Sequence, residues 1–308
     1  MFGQVLLELA KADAKVVGVT PAMAKGCGMN LLAAELPGQF FDVGIEEEHA
    51  VTFSAGLAAG GMKPFCNIYS AFSQRAYDQI IHDVALQSLP VVLCFDRAGL
   101  VGEDGSTHNG VFDIAAYRNI PGTIIASPKD ELELKQLMYT AYKHQTGPFI
   151  IRYPRGMGKG VDWKSAAFCE LETGKAECLL AGSSVAVVCT GPVVYEALEA
   201  AKDFEGKVGV YNFRFVKPLD YDILDRIASR YSCILSVEDG CLKGGLYGAI
   251  CEYVMEKGLN CAVQGIGVPD KFIKHARQAD QLAQCGIDRK GIKEKLENIF
   301  ENCLQNNK

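Results

Sequence analysis

The sequence lacks the features that mark several large classes of protein. Its 308 residues include 31 lysines and arginines against 37 aspartates and glutamates, which gives a net charge of -6. Basic runs interleaved with aromatic residues are missing, so a nucleic-acid-binding surface is not expected. No stretch reaches about 18 uninterrupted apolar residues, and the N-terminus lacks a basic segment followed by an apolar core. These absences argue against a membrane span and a secretory signal, and they favour a cytoplasmic protein.

Cysteine is abundant, with 12 residues, but no two cysteines form a CxxC pair. Metal sites are typically built from such close pairs, and disulfide scaffolds are typically short secreted chains. Five cysteines lie in or beside apolar segments: Cys27, Cys66, Cys94, Cys189 and Cys233. We interpret them as small buried apolar side chains in a reducing compartment, and we predict no metal ligands in this chain.

Apolar strand-like runs alternate with helical patterns through most of the chain. In the first half of the chain, AKVVGV is the first predicted strand and PFIIRYP is the last. Helices such as RAYDQIIHDVALQ separate the predicted strands. Strands that are apolar on both faces and separated by helices indicate a parallel sheet covered on both sides. A glycine-rich, polar stretch interrupts the alternation, which resumes at SVAVVCTG. We therefore expect two successive three-layer α/β domains with mostly parallel sheets, at residues 1–157 and 180–308, joined by a linker at 158–179.

The stretch FFDVGIEEEHAVTFSAGLAAGG places Glu46, Glu47 and Glu48 between a strand and a mostly apolar helix. Acidic residues in the first turn of a helix stabilise it by roughly 0.3–1 kcal/mol, which would explain them without any function. Ligands, however, bind beyond the carboxyl ends of strands in open parallel sheets. One glutamate would then point toward a ligand, because a buried carboxylate requires a partner. The spacing alone leaves both interpretations open.

Longer motifs narrow the choice. The string FDVGIEEEHAVTFSAGLAAGG, together with YSAFSQRAYDQIIHDVALQ, FDRAGLVGEDGSTHNGVFDI and RYPRG, strongly resembles the 1-deoxy-D-xylulose-5-phosphate synthase family of the transketolase superfamily. The resemblance covers essentially the whole chain, including FRFVKPLD and the VEDG segment. It implies a thiamine-diphosphate pyrimidine-binding domain followed by a transketolase C-terminal-like domain, roughly the second half of that family's polypeptide.

The resemblance also implies roles for particular residues. Glu47 matches the family's cofactor-activating glutamate in the pattern I-x-E-Q-H-A, while Glu46 and Glu48 depart from the pattern and add negative charge beside the site. A carboxylic acid in this place hydrogen-bonds a pyrimidine nitrogen of thiamine diphosphate and supports its acid–base chemistry. Tyr69 and Phe72 match residues that stack on the pyrimidine ring, although aromatics at this spacing are more often part of a core.

Substrate contacts follow from the same resemblance. Arg75 would bind the carboxylate of pyruvate, and Arg97 and Arg155 would bind the phosphate of glyceraldehyde 3-phosphate. Asp104 and His108 match a polar pair near the reacting groups and are candidate catalytic residues with Glu47. By itself an Asp-Gly sequence usually marks a turn, and a lone histidine is usually structural.

The diphosphate half of such a site is not recognisable in the sequence. Family members bind Mg²⁺ and the cofactor diphosphate with a G-D-G motif and a later asparagine, because hard oxygen ligands must neutralise the charge. This chain has only EDG, at 103–105 and 238–240. We therefore expect the C-terminal half or subunit of a synthase, dimeric in the family, inactive until a diphosphate-binding domain is supplied in cis or in trans. A subunit of a split transketolase and a non-catalytic half-protein remain as alternatives.

Overall fold

The computed structural model describes the backbone of residues 1–305 and the side chains of residues 1–302. The strands are β1 (Val16–Thr20), β2 (Phe40–Asp42), β3 (Lys63–Tyr69), β4 (Val92–Asp96), β5 (Ile124–Ala126), β6 (Phe149–Tyr153), β7 (Glu177–Leu180), β8 (Val185–Thr190), β9 (Val208–Asn212), β10 (Phe215–Lys217), β11 (Cys233–Cys241) and β12 (Ala262–Val268). The α-helices are α1 (Phe2–Ala12), α2 (Asn30–Glu35), α3 (Glu47–Ala59), α4 (Ser70–Ser73), α5 (Tyr77–Gln79), α6 (Asp113–Tyr117), α7 (Glu131–Lys143), α8 (Val193–Ala201), α9 (Tyr221–Arg230), α10 (Leu246–Glu256), α11 (Gln278–Gln284) and α12 (Arg289–Gln305).

Two mostly parallel sheets carry these elements. The first has the strand order β10-β5-β6-β4-β3-β1-β2, and the second has the order β12-β11-β8-β9-β7. Only the edge pairs β10–β5 and β7–β9 are antiparallel among the pairs of named strands. Every residue of β1, β4, β6 and β8 is buried, since helices cover both faces of each sheet. The predicted fold class is confirmed.

A short strand from the second half of the chain joins the first sheet. Strand β10 lies in the range predicted as the second domain, yet it pairs with β5 of the first sheet, with Phe215 opposite Ala126. Phe215 is buried in the apolar cluster of the first sheet. In return, the segment predicted as a linker packs along α7, where Gln136 bonds the backbone of Ala167 and Cys169. The two domains are thus closely joined.

The segment RAYDQIIHDVALQ is not the single α-helix that its apolar pattern predicts. It winds as a 3₁₀ turn at Gln74–Ala76, then α5, then a π-helix at Ile80–Ala85. The wide turn is closed by bonds such as the Leu86 N–H to the Ile81 C=O, at 2.8 Å. It brings Asp83 against the Thr52 hydroxyl of the neighbouring helix α3.

The apolar interior agrees with the interpretation of the cysteines. All five cysteines that the sequence placed in apolar segments are buried within the three core clusters. Of the helices in the described part of the chain, none combines the length and apolar character of a membrane span.

Candidate functional site

Among the three glutamates, only Glu47 is buried. Its residue is 4% exposed, whereas Glu46 is exposed and Glu48 is partly exposed. Glu47 is the first residue of α3, which follows β2. Both of its carboxylate oxygens accept from Nη1 of Arg75, at 2.9 and 3.0 Å. An interaction with the helix dipole does not require burial, so the structure favours a carboxylate directed toward a partner.

Phe72 links this carboxylate to the rest of the candidate site. It lies just beyond the carboxyl end of β3, and its ring stacks on Tyr69 with centroids 5.7 Å apart. The Arg75 guanidinium lies over the same ring, 4.7 Å from its centroid. The His108 ring meets Phe72 edge-on at 5.1 Å. A carboxylate, a cation, two flat rings and an imidazole therefore form one continuous group.

Arg97 extends this group along the rim of the sheet. Its guanidinium lies 4.0 Å from the centroid of the Tyr69 ring, and its Nη1 donates to Asp96 Oδ2 at 2.7 Å. Burial raises the pKa of Asp96 to about 6, while the charge of Arg97 opposes that rise. Arg97 has a φ of +59°, a conformation that non-glycine residues seldom adopt. Such strain is often found at functional positions.

Asp104 and His108 face different neighbours, although both lie on the loop that follows β4. Asp104 accepts from Nη1 of Arg155 at 2.7 Å, and the same nitrogen also reaches the Val101 carbonyl. The Nδ1 of His108 lies 2.9 Å from the hydroxyl of Thr107. The two residues of the predicted pair thus have different partners: Asp104 pairs with Arg155, and His108 packs against Phe72.

A cavity of about 620 Å³ opens at the carboxyl ends of both sheets. Arg97 and Arg155 line it, as do Lys25, Lys129 and Lys159. Five acidic residues also line the cavity: Asp96, Asp130, Glu131, Glu196 and Asp239. Glu47 and the Phe72 ring lie outside its lining, so the predicted residues divide into a carboxylate–aromatic group and the arginines of the cavity. Arg97, which stacks on Tyr69 and also lines the cavity, connects the two.

A buried charged cluster lies behind the loop. Asp113 accepts from Nε of Arg152 at 2.8 Å and from the hydroxyl of Ser70 at 3.0 Å. Arg152 also donates to the backbone carbonyl of Asp239 in β11. Burial raises the pKa of Glu238 to about 7 and that of Asp239 to about 6, and the charge of Arg152 opposes both shifts. The cluster joins the first sheet to the second beside the candidate site.

Sequence reasoning missed several residues that shape this region. Asp96 ends β4 immediately before Arg97, and the carboxyl-end rule could have identified it. Asp239 lies in the VEDG motif, and its carboxylate accepts from the Leu100 N–H at 3.0 Å. Gln281 bonds the loop at Gly102 from helix α11. No sequence signal marks Gln281, because it is one of three glutamines in α11 and nothing in the sequence separates it from Gln278 and Gln284.

Both parts of the chain match known protein families. Residues 1–159 match the family described as "Transketolase, pyrimidine binding domain". Residues 174–292 match the family described as "Transketolase, C-terminal domain". A solved chain described as "Split gene transketolase, inactive beta4 tetramer" superposes with a TM-score of 0.86 at 25% identity, covering 96% of each chain.

Curated relatives carry the name predicted from the motifs. The 1-deoxy-D-xylulose-5-phosphate synthase of Phocaeicola vulgatus is 51% identical over 95% of this chain and 47% of its own length. That of Bacteroides thetaiotaomicron is 49% identical over 96% of this chain and 46% of its own length. The chain thus spans about half the length of these relatives, and the resemblance seen in the motifs is confirmed. This chain belongs to the transketolase family, with a pyrimidine-binding domain followed by a transketolase C-terminal domain.

Proposed function

We propose that this chain is the C-terminal half or subunit of a 1-deoxy-D-xylulose-5-phosphate synthase. The complete enzyme would condense pyruvate with glyceraldehyde 3-phosphate, with loss of CO₂, for isoprenoid biosynthesis. The observation that carries the proposal is the buried Glu47 beside Arg75 and Phe72. It occurs in a chain whose sequence is 51% identical to that of a synthase. We propose that turnover requires a diphosphate-binding domain with Mg²⁺, supplied in cis or in trans.

The residues present fit the pyrimidine half of thiamine diphosphate. Glu47 offers a buried carboxylate to a ring nitrogen, and Phe72 and Tyr69 offer flat faces. Offset stacking of aromatic rings contributes about 0.5–1.5 kcal/mol beyond burial. When bound, the cofactor supplies a carbon nucleophile, and Glu47 would hold a proton at the pyrimidine nitrogen. The Mg²⁺ ligands are expected on the diphosphate-binding domain.

Arg75 would serve two partners in turn. Its side chain is 47% exposed, whereas the Glu47 side chain that it contacts is 5% exposed. The guanidinium neutralises Glu47 while no base is hydrogen-bonded there. On ligand binding it would turn to the carboxylate of pyruvate, which a planar guanidinium holds with two hydrogen bonds. Glu47 would then be free to bond the cofactor.

Arg97 and Arg155 would bind the acceptor phosphate. Both line the cavity, where three lysines add positive charge and five carboxylates add negative charge. Asp104 and His108 lie on the loop at this end of the molecule, and we assign them to the acid–base chemistry at the acceptor hydroxyl and carbonyl groups. Their contacts with Arg155 and Phe72 would hold them between the phosphate and the cofactor.

Reconstitution tests the proposal. The chain is purified and assayed for 1-deoxyxylulose 5-phosphate with thiamine diphosphate, Mg²⁺, pyruvate and glyceraldehyde 3-phosphate. The assay is run with and without the N-terminal half of the Phocaeicola vulgatus synthase. We expect product only with the added half, and Glu47→Gln should lower turnover by about 10²–10⁴-fold, the usual contribution of general acid–base catalysis. Turnover by the chain alone, or a Glu47→Gln enzyme within about threefold of wild type, would contradict the proposal.

A second candidate is the C-terminal subunit of a split transketolase. The solved split-gene transketolase chain favours it, since the match covers 96% of both chains. Donor choice separates the two: the synthase consumes pyruvate, whereas a transketolase consumes a ketose phosphate. A complex that uses neither donor is a non-catalytic half-protein. We further propose a cytoplasmic location and a homodimer, and light scattering of the purified chain tests the dimer.

A further inference from the structure

The loop from Arg97 to Val111 leaves the first sheet after β4, but two of its buried apolar residues lie in the core of the second domain. Leu100 is fully buried and Val111 is 4% exposed. Both belong to the same apolar cluster as Val187 of β8 and Leu235 of β11. The second domain therefore supplies the surroundings in which this loop packs.

Gln281 of α11 bonds the loop most closely. Its side chain is fully buried, and its Oε1 accepts from the Gly102 N–H at 2.7 Å. Its Nε2 donates to the Gly102 carbonyl at 3.2 Å and to the Lys274 carbonyl at 2.9 Å. One side-chain amide thus pairs with both backbone groups of a single residue, as a neighbouring strand would.

Two other residues of the second domain hold Leu100 in the same way. Asp239 accepts from the Leu100 N–H at 3.0 Å, and Gln278 donates to the Leu100 carbonyl at 2.7 Å. The Asp239 carboxylate lies so close to Gly99 that a Cβ there would be 2.0 Å from its Oδ2. This approach is open only to glycine.

Between these two residues, Val101 is bonded from within the first domain. Its N–H donates to Asn109 Oδ1 at 3.1 Å, and its carbonyl accepts from Arg155 at 3.2 Å. Every backbone N–H and C=O from Leu100 to Gly102 is therefore bonded to a side chain, and the second domain provides the partners of four of these six groups. An irregular segment with all its backbone groups satisfied in this way is fixed in position.

We propose that Gln281, assisted by Gln278 and Asp239, is a positioning residue for the acceptor half of the active site. The second domain holds Leu100–Gly102, and Asp104 follows Gly102 by two residues in the same 3₁₀ turn. His108 follows in the next turn, where its N–H donates to the Gly105 carbonyl at 3.0 Å. The catalytic consequence rests on the proposed synthase function. The loop attachment itself does not.

The attachment is tested on the chain alone by amide hydrogen exchange. The variants are Gln281→Leu and Gln281→Glu, and the matched controls are Gln284→Leu and Gln284→Glu at an exposed position of the same helix. We expect Gln281→Leu to speed exchange of peptides covering 98–110 at least tenfold, with little change in peptides covering Glu47–Ala59. Equal exchange in Gln281→Leu and wild type would overturn the attachment.

Gln281→Glu gives a readout that a general loss of stability does not. An ionised carboxylate accepts from the Gly102 N–H but cannot donate to the Gly102 and Lys274 carbonyls. Protonation restores one donor, so loop exchange, corrected for intrinsic rates, should be faster at pH 8 than at pH 5 in this variant. Wild type and Gln284→Glu should show no such dependence. A pH-independent Gln281→Glu loop would overturn the hydrogen-bonding role.

Reconstituted enzyme then tests the catalytic consequence. We expect Gln281→Leu to raise KM for glyceraldehyde 3-phosphate or lower kcat at least tenfold, while the Kd for thiamine diphosphate, measured by calorimetry, stays within twofold. An active variant with wild-type acceptor kinetics would overturn positioning. An inactive wild-type complex would overturn the proposed synthase and, with it, the catalytic role of Gln281, while the exchange result would still decide the attachment. Should Gln281→Leu not fold, Gln278→Ala removes one of the bonds to Leu100 and is expected to loosen the same peptides.

Discussion

Glu47 and His108 belong to the same group of residues around Phe72, yet different parts of the molecule hold them. The Glu47 side is built from elements of the first sheet: helix α3, strand β3 and Arg75. The His108 side lies on a loop whose backbone is bonded largely by the second domain. Sites in α/β proteins are often described as loops on one rigid scaffold. Here the scaffold of one half is a different domain, so disturbing that domain should affect only that half.

The largest loss of stability is expected from a substitution in the buried cluster where the two halves of the site meet. Arg152 and Asp113 are 3% and 5% exposed, and they lie between Ser70, the first residue of α4, and Asp239 of the second sheet. Arg152→Leu leaves a buried carboxylate without its cation, which typically costs about 3–5 kcal/mol. Urea unfolding should show this loss, and amide exchange should rise both in the loop peptides and in those covering Glu47–Ala59.

The exposed pair of Lys290 with Glu294 provides the control. Lys290→Gln should change stability by less than about 1 kcal/mol, because exposed ion pairs contribute little. If Arg152→Leu is as stable as this control, the buried cluster does not join the two halves.

Gly99→Ala should disturb only the loop. Gly99 and Gly61 have φ values of +80° and +87°, so alanine at either position costs about 1–2 kcal/mol of backbone strain. A Cβ at Gly61 meets nothing within 4 Å, whereas one at Gly99 collides with Asp239. Thermal unfolding should therefore show a larger loss for Gly99→Ala than for Gly61→Ala. Equal losses would mean that the Asp239 carboxylate moves aside and does not fix the loop.

This comparison also separates what the sequence predicts from what it does not. Apolar strands such as β4 and β6 predict the first sheet, and the resemblance of the motifs to a known family implies that Glu47 faces a partner. The three-residue strand β10 is too short to carry a pattern, so its pairing with β5 could not be foreseen. Gln281 is likewise invisible, because its bond to Gly102 joins residues 179 positions apart. Contacts between domains depend on how finished domains pack, and local periodicity does not record this.

Arg75→Met should disturb only the half of the site that contains Glu47. It leaves the Glu47 carboxylate buried without a partner, which costs about 1–3 kcal/mol. Adding Glu47→Gln should recover much of that loss, since the pair is in direct contact and the two effects are then not additive. Denaturant unfolding of the two single variants and the double variant measures this coupling. Additive losses, or faster exchange in the loop, would show that the halves are not separate.

The smallest expected effect is a pH dependence of stability that arises from Glu238 in the second domain. Burial raises the pKa of Glu238 from its ordinary 4.5 to about 7, although the carboxylate accepts from the Leu246 and Tyr247 N–H groups. Between these values the folded chain holds a proton that the unfolded chain releases, so this group's contribution to stability falls as pH rises from about 4.5 to 7. Glu238→Gln cannot titrate. The Tm difference, variant minus wild type, should therefore rise by a few degrees across that interval and then level off.

Glu252→Gln is the control for this titration. Its bond with Arg118 lowers the pKa of the Glu252 carboxyl, so its titration lies below pH 4.5 and its Tm difference should be flat from 4.5 to 7. The pKa of Asp239, about 6, falls within the same interval, and its carboxylate bonds the Leu100 N–H. Ionisation makes the Asp239 carboxylate the stronger acceptor for the Leu100 N–H, so the loop peptides of wild type should not exchange faster as the pH rises through this interval. A Glu238→Gln curve parallel to wild type would mean that the two helix N–H groups fully offset the effect of burial on Glu238.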